Sequence, residues 1–187
     1  MTTKARATVE DLYNAPGKAE IVNGEVVLMS PTGDAPNYAA GEVFVSLREH
    51  SRRTNIGRAV TDNAGFKVNL PDRESFSPDA AYYMGPSRGM KFFEGAPVFA
   101  VEIRSENDYG PEAERRIAEK RHDYFAAGTL CVWDVDLIGP DVIKSYHADN
   151  PDSPTVFRRG DIADAGKAVP GWSMPVDDLF PPSEQPV

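Results

Sequence analysis

Three charged residues stand at positions that the surrounding pattern reserves for apolar side chains. Val98-Phe99-Ala100-Val101-Glu102-Ile103 reads as a strand covered on both faces, and Glu102 interrupts it. A carboxylate in such a place must be ion-paired, protonated or metal-bound, because desolvating it alone costs several kcal/mol. The plainest partner is Arg104, on the same face two residues on. Asp79 opens the short strand pattern Ser77-Pro78-Asp79-Ala80-Ala81-Tyr82-Tyr83, where a strand-end aspartate is common. Lys120 is the most telling of the three. At roughly 100° per residue it shares one helix stripe with Ala113, Ile117, Tyr124 and Ala127, the face that should pack on a sheet. A lysine there either snorkels to an edge or meets a buried carboxylate, and Asp79 and Glu102 are the candidates.

Two carboxylates and a lysine on adjacent core elements make a recognisable chemical set. Carboxylate oxygens are the hard ligands that Mg²⁺ or Mn²⁺ take, one or two per ion with waters completing the shell. Such an ion polarises a phosphoryl oxygen and acidifies a bound water. A nearby lysine can orient that water or stabilise developing negative charge.

The elements that must position these residues follow an α/β pattern. Thr8 and Asp11 form a capping-box signature for a short helix at Thr8–Tyr13. Glu20–Met29 is a hairpin, with Asn23-Gly24 supplying the two positive-φ positions of a type I′ turn. Helical spacing over Asn37–Arg53 gathers Ala40, Val43, Phe44 and Leu47 on one face. Strands are expected at Arg58–Thr61, Gly65–Leu70, Ser77–Tyr83, Val98–Arg104, Leu130–Asp136 and Val142–His147. A second helix spans Pro111–Ala127, with Pro111 in its first turn and Gly128 as its stop. The Pro- and Asp-rich tail reads as a meandering wrap ending near Phe180.

Composition bounds the rest. The chain has 187 residues, 41% hydrophobic and 26% charged, which suits one domain over 1–187 with an ordered core at about 8–180. It is too apolar for disorder, shows no repeat of solenoid period, and has no run near the ~20 residues a membrane span needs. Nothing near the N-terminus reads as a secretory signal, and Cys131 stands alone in an apolar run as a small buried hydrophobe, so a cytoplasmic location is expected. A net charge of −9 argues against coating nucleic acid with the whole surface, yet it leaves room for acids that hold a metal. Ser173 lacks the glycine pattern of a nucleophile elbow, and no phosphate-binding loop occurs. His50, His122 and His147 lack zinc-ligand spacing. Arg48, Arg52, Arg53 and Arg58 read as a solvated helix end more readily than as phosphate contacts.

At these residues the sequence resembles the Uma-two endonuclease family, within the restriction-endonuclease-like PD-(D/E)xK superfamily. The resemblance runs through Glu20–Val26, Met29-Ser30-Pro31, Pro78-Asp79, Val101–Ser105, Lys120 with Tyr124, Ala126-Ala127-Gly128, Val132–Asp136, Val169–Trp172 and Leu179-Phe180. It implies a restriction-endonuclease-like mixed central β-sheet flanked by helices, with an N-terminal β-hairpin. It implies Asp79 and Glu102 as ligands of Mg²⁺ or Mn²⁺ together with the backbone carbonyl of Ile103, Lys120 as the catalytic lysine, and Glu20 as an assisting upstream acid. The superfamily's usual lysine position, two residues after the glutamate, holds Arg104 here. Arginine can clamp phosphate or orient Glu102 but is a poor base. The helix at Asn37–Arg53 lacks the histidine that many relatives carry near its start.

The expectation is a metal-dependent endonuclease acting on DNA, as a homodimer whose two sites would cut both strands. The rival reading is a non-catalytic binding or regulatory module on the same fold, which the acidic charge and Arg104 favour. A third is a hydrolase of another phosphoester.

Overall fold

A computed structural model describes residues 6–182. Helix α1 (Val9–Tyr13) starts at the expected capping box, Thr8 and Asp11 satisfying each other's backbone amides. The hairpin follows as β1 (Ala19–Val22) and β2 (Glu25–Leu28). Asn23 and Gly24 between them have φ of 53° and 74°, the two positive values that the turn requires. Helix α2 (Asp34–Thr54) begins a turn earlier than its apolar spacing suggests. Pro36 falls in that first turn, where an amide would have no intrahelical partner.

Further along come β3 (Arg58–Thr61), β4 (Phe66–Lys67), β5 (Ser75–Phe76), β6 (Ala80–Tyr83), β7 (Phe93–Glu94) and β8 (Phe99–Ile103). Helix α3 (Pro111–Ala126) then leads to β9 (Cys131–Val135), β10 (Ile143–His147) and β11 (Asn150–Phe157). The chain closes with β12 (Ile162–Asp164), a 3₁₀ turn, β13 (Ser173–Pro175) and a second 3₁₀ turn at Val176–Leu179.

Six strands form the central sheet in the order β11-β10-β9-β8-β6-β3. All neighbours run antiparallel except β8 and β9, which are parallel and joined through α3. Strand alternation then sorts the two faces. Phe99, Val101 and Ile103 of β8 join Ala39, Val43 and Leu47 of α2, with Trp133, Trp172 and Met174, in the larger core. Ala100 of β8 lies on the opposite face with Val132 and Tyr124 of α3. Glu102 continues that second face.

Two expectations change. The strand expected over Gly65–Leu70 is a two-residue β4 in a separate three-stranded sheet with β5 and β7. Strand β11 lies in a segment that the sequence reads only as wrap, because Pro151 and Pro154 argue against a strand. The sheet order places it at an outer edge, where a missing amide is tolerated. Its pairing with β10 also shifts register between Ser145 and His147, so the proline-bearing stretch bulges from the ladder.

Candidate active site

The site forms where β6 and β8 meet at the centre of the sheet. The two strands pair Ala80 with Val101 and Tyr82 with Phe99. Ahead of Ala80 the regular ladder stops. The Asp79 amide donates to the Val101 carbonyl, and the Asp79 carboxylate accepts the Ile103 amide at 2.8 Å. A side chain thus replaces a backbone acceptor, which holds Asp79 beside the end of β8. The Ile103 carbonyl leaves the strand on the same edge as its amide, toward Asp79.

Glu102 points to the α3 face and is gripped from that helix. Lys120 donates to one carboxylate oxygen at 2.8 Å and the Tyr124 hydroxyl to the other at 2.6 Å. About a quarter of the Glu102 side chain remains open to solvent. The stripe of Ala113, Ile117, Lys120, Tyr124 and Ala127 is the face that α3 turns inward, every member buried or half-buried. A cavity of about 40 Å³, lined by Glu102, Ile117, Lys120, Tyr124 and Asp134 among others, lies on this side of the site. It is large enough for a water.

The hairpin supplies the third carboxylate. Glu20, 2% exposed, accepts from Lys120 at 2.9 Å and from the Ser77 amide at 2.7 Å, while its other oxygen accepts from Arg73 at 2.7 Å. Arg73 also holds Asp123 of α3 at 2.7 Å, so one guanidinium ties hairpin to helix. Backbone bonds fix the arrangement, Glu74 donating to the Ile21 carbonyl and Asn23 to that of Asp72.

Lys120 therefore bridges Glu102 and Glu20. The expected meeting of Lys120 with Asp79 is not what forms. Asp79 instead accepts from Lys18, just ahead of β1, at 2.7 Å, and Lys18 reaches Asp62 on its other side at 2.5 Å. Nor does Arg104 pair with Glu102. Its guanidinium makes a two-pronged contact with Asp134 of β9 at 2.7 and 2.8 Å and also bonds Glu114 of α3. Arg104 and Asp134 are both nearly closed to solvent, which leaves the arginine as a clamp between sheet and helix.

The electrostatics follow from this packing. Burial favours the neutral Glu20 carboxyl, but Lys120, Arg73 and the Ser77 amide outweigh it and hold its pKa low. Glu102 goes the other way. Burial, with Asp79 and Glu20 as negative neighbours, lifts it above the ordinary glutamate value despite Lys120 and Lys18. Burial would discharge Lys120, yet the two glutamates raise its pKa, so it is a firm cation and a hydrogen-bond donor. It is no general base in this state.

The donor set fits a hard divalent cation. Asp79 and Glu102 offer carboxylate oxygens from adjacent strands, with the Ile103 carbonyl on the same edge. Among the described residues no three His, Cys, Asp or Glu side chains converge on one point. A cation here would be held by the two carboxylates, the carbonyl and water; each carboxylate now carries a lysine, Lys18 on Asp79 and Lys120 on Glu102, while Glu20 is tied to both Lys120 and Arg73.

A sequence profile described as Uma2, putative restriction endonuclease, matches residues 6–177. The chain belongs to the Uma2 family. No curated protein matches it. Among solved structures, the crystal structure of a putative nuclease belonging to DUF820 from Anabaena variabilis ATCC 29413 superposes with a TM-score of 0.72. That match is 16% identical and covers 93% of this chain and 97% of the other, a likeness of fold. The Uma2 assignment and the mixed central sheet agree with the resemblance seen in the sequence. Among the described residues no helix is long and apolar enough to cross a membrane.

Sequence reasoning missed Lys18, Arg73 and Asp62. Arg73 lies in Pro71-Asp72-Arg73-Glu74, which reads as an exposed turn, and only the hairpin docking against it reveals its burial. Tyr124 carried a visible signal, since it follows Lys120 at i+4 on the inward stripe.

Proposed function

We propose that this Uma2 protein is a Mg²⁺- or Mn²⁺-dependent endonuclease that hydrolyses phosphodiester bonds in DNA. The observation that carries this reading is the pair of acids at neighbouring central strands, Asp79 just ahead of β6 and Glu102 on β8, with a half-buried lysine cation bonded to Glu102. Asp79, Glu102 and the Ile103 carbonyl would hold the ion, which when bound polarises the phosphoryl group and acidifies a water.

The protein's own groups supply the rest. Tyr124 fixes the rotation of the Glu102 carboxylate by donating to the oxygen that Lys120 does not touch. Lys120, held charged between Glu102 and Glu20, presents a donor beside the water and the developing negative charge. Glu20 assists by positioning Lys120, and Arg73 holds Glu20 in turn. Arg104 serves the scaffold through Asp134 and Glu114 rather than gripping phosphate.

The test is cleavage of plasmid and single-stranded DNA with Mg²⁺ or Mn²⁺ by wild type and Glu102→Gln, both verified as folded. Metal-dependent nicking or linearisation by wild type, absent in the variant, is expected. Full activity in Glu102→Gln would overturn the site. A folded wild type that binds DNA without cutting it under any of these conditions would favour the binding module.

A further inference from the structure

The acidic site carries a second lysine that the proposed chemistry leaves unused. Lys18 lies on the segment leading into β1, and its side chain is only 16% exposed. Its ammonium sits 2.7 Å from Oδ1 of Asp79 and 2.5 Å from Oδ1 of Asp62, in the turn after β3. The other Asp79 oxygen is spent on the Ile103 amide. Oδ1, which no backbone amide holds, is the freer oxygen for an ion, and Lys18 is on it.

We infer that Lys18 is a resident counter-cation of the acidic site, occupying the metal-facing oxygen of Asp79 until a divalent cation displaces it toward Asp62. The inference rests on the proposed metal site and deepens it by naming what competes for that site. Two carboxylates brought together on adjacent strands repel, and a lysine between Asp79 and Asp62 relieves that repulsion in the absence of metal. A divalent cation on Asp79 Oδ1 and the Lys18 ammonium 2.7 Å from the same oxygen repel at short range, so binding the ion either moves Lys18 away or lowers the ion's affinity. Asp62, 41% exposed on a turn, offers the lysine a place to remain neutralised after it yields. Lys120 stands to Glu102 as Lys18 does to Asp79, with the buried Glu20 as the partner it keeps when Glu102 turns to a metal. Lys18 is in these terms a positioning residue and a determinant of metal affinity.

The experiment is calorimetric titration of Mn²⁺ alone into wild type, Lys18→Gln and Lys18→Arg, with folding checked by circular dichroism. Removing the competing charge should tighten Mn²⁺ binding tenfold or more in Lys18→Gln, while Lys18→Arg, which keeps the charge, binds about as weakly as wild type. Equal or weaker binding in Lys18→Gln overturns the inference. In that event the metal site itself still stands if Asp79→Asn lowers the wild-type affinity. No Mn²⁺ binding in wild type or Lys18→Gln overturns both. Asp62→Asn should weaken binding in the wild-type background and less so with Lys18→Gln, and an equal effect in both would remove Asp62 from the exchange.

Discussion

Replacing Arg104 with methionine separates a structural clamp from a phosphate ligand. The two carboxylates it holds are not equivalent. Glu114 is about half exposed, and a pair of that kind is worth roughly 0–1 kcal/mol. Asp134 is 5% exposed and takes both of its hydrogen bonds to a charged group from Arg104. Arg104→Met leaves that carboxylate buried without its counter-ion, a loss of about 3–5 kcal/mol. In a chain of this size each kcal/mol moves the midpoint by about 2–4 °C, so the melt should fall by roughly 6–20 °C. Urea and thermal melts followed by the fluorescence of the buried Trp133 and Trp172 would measure it. Glu114→Ala should change stability by less than about 1 kcal/mol. Arg104→Met with Asp134→Leu should recover most of the loss, because well-packed apolar side chains often replace a buried ion pair without penalty. DNA cleavage, assayed well below the variant's midpoint, should persist. An Arg104→Met protein within 1 kcal/mol of wild type would refute this reasoning, as would a double variant no more stable than the single one. Normal stability with lost cleavage would return Arg104 to the phosphate.

Two further outcomes follow from buried groups. Glu20 is held below the ordinary glutamate value of 4.5, so its ion pairs add stability above that pH and lose it as the pH falls through the lower folded-state value. Acid titration of stability should show this loss in wild type, and Glu20→Gln should be less stable at neutral pH with a flatter acid limb. Cys131 is fully buried and its thiol is pushed up to about 12, chiefly by burial. It should resist alkylation at neutral pH in the native state and react at once in denaturant, which mass spectrometry of trapped adducts would show.

Those parts of the site that obey local periodicity were legible in the sequence. Glu102 broke a run of core residues, and Lys120 sat on a helix stripe whose other members are apolar, so both announced themselves without tertiary information. Asn23-Gly24 likewise determines its turn through backbone sterics alone. The pairings were another matter. Arg104 could reach Glu102 along its own strand, but the parallel register sets Asp134 of β9 alongside, and the guanidinium goes there. Lys120 takes Glu20 rather than Asp79 because the hairpin docks over α3, a contact between segments 100 residues apart that no spacing rule encodes. Strand β11 was hidden by prolines whose effect depends on whether a neighbour lies beyond them, which only the sheet order decides.

That outer strand also constrains how two copies can meet. A row of free amides and carbonyls at a sheet edge is a template on which a second chain can add its own strand. Here Pro151 and Pro154 have no amide to offer, and the register shift against β10 lifts their stretch out of line. Continuous sheet growth along the whole of β11 is thereby hindered. If two subunits assemble to cut opposite strands of a duplex, the proline-bearing stretch of β11 is poorly suited to join them, which leaves the β3 edge or side chains on another surface.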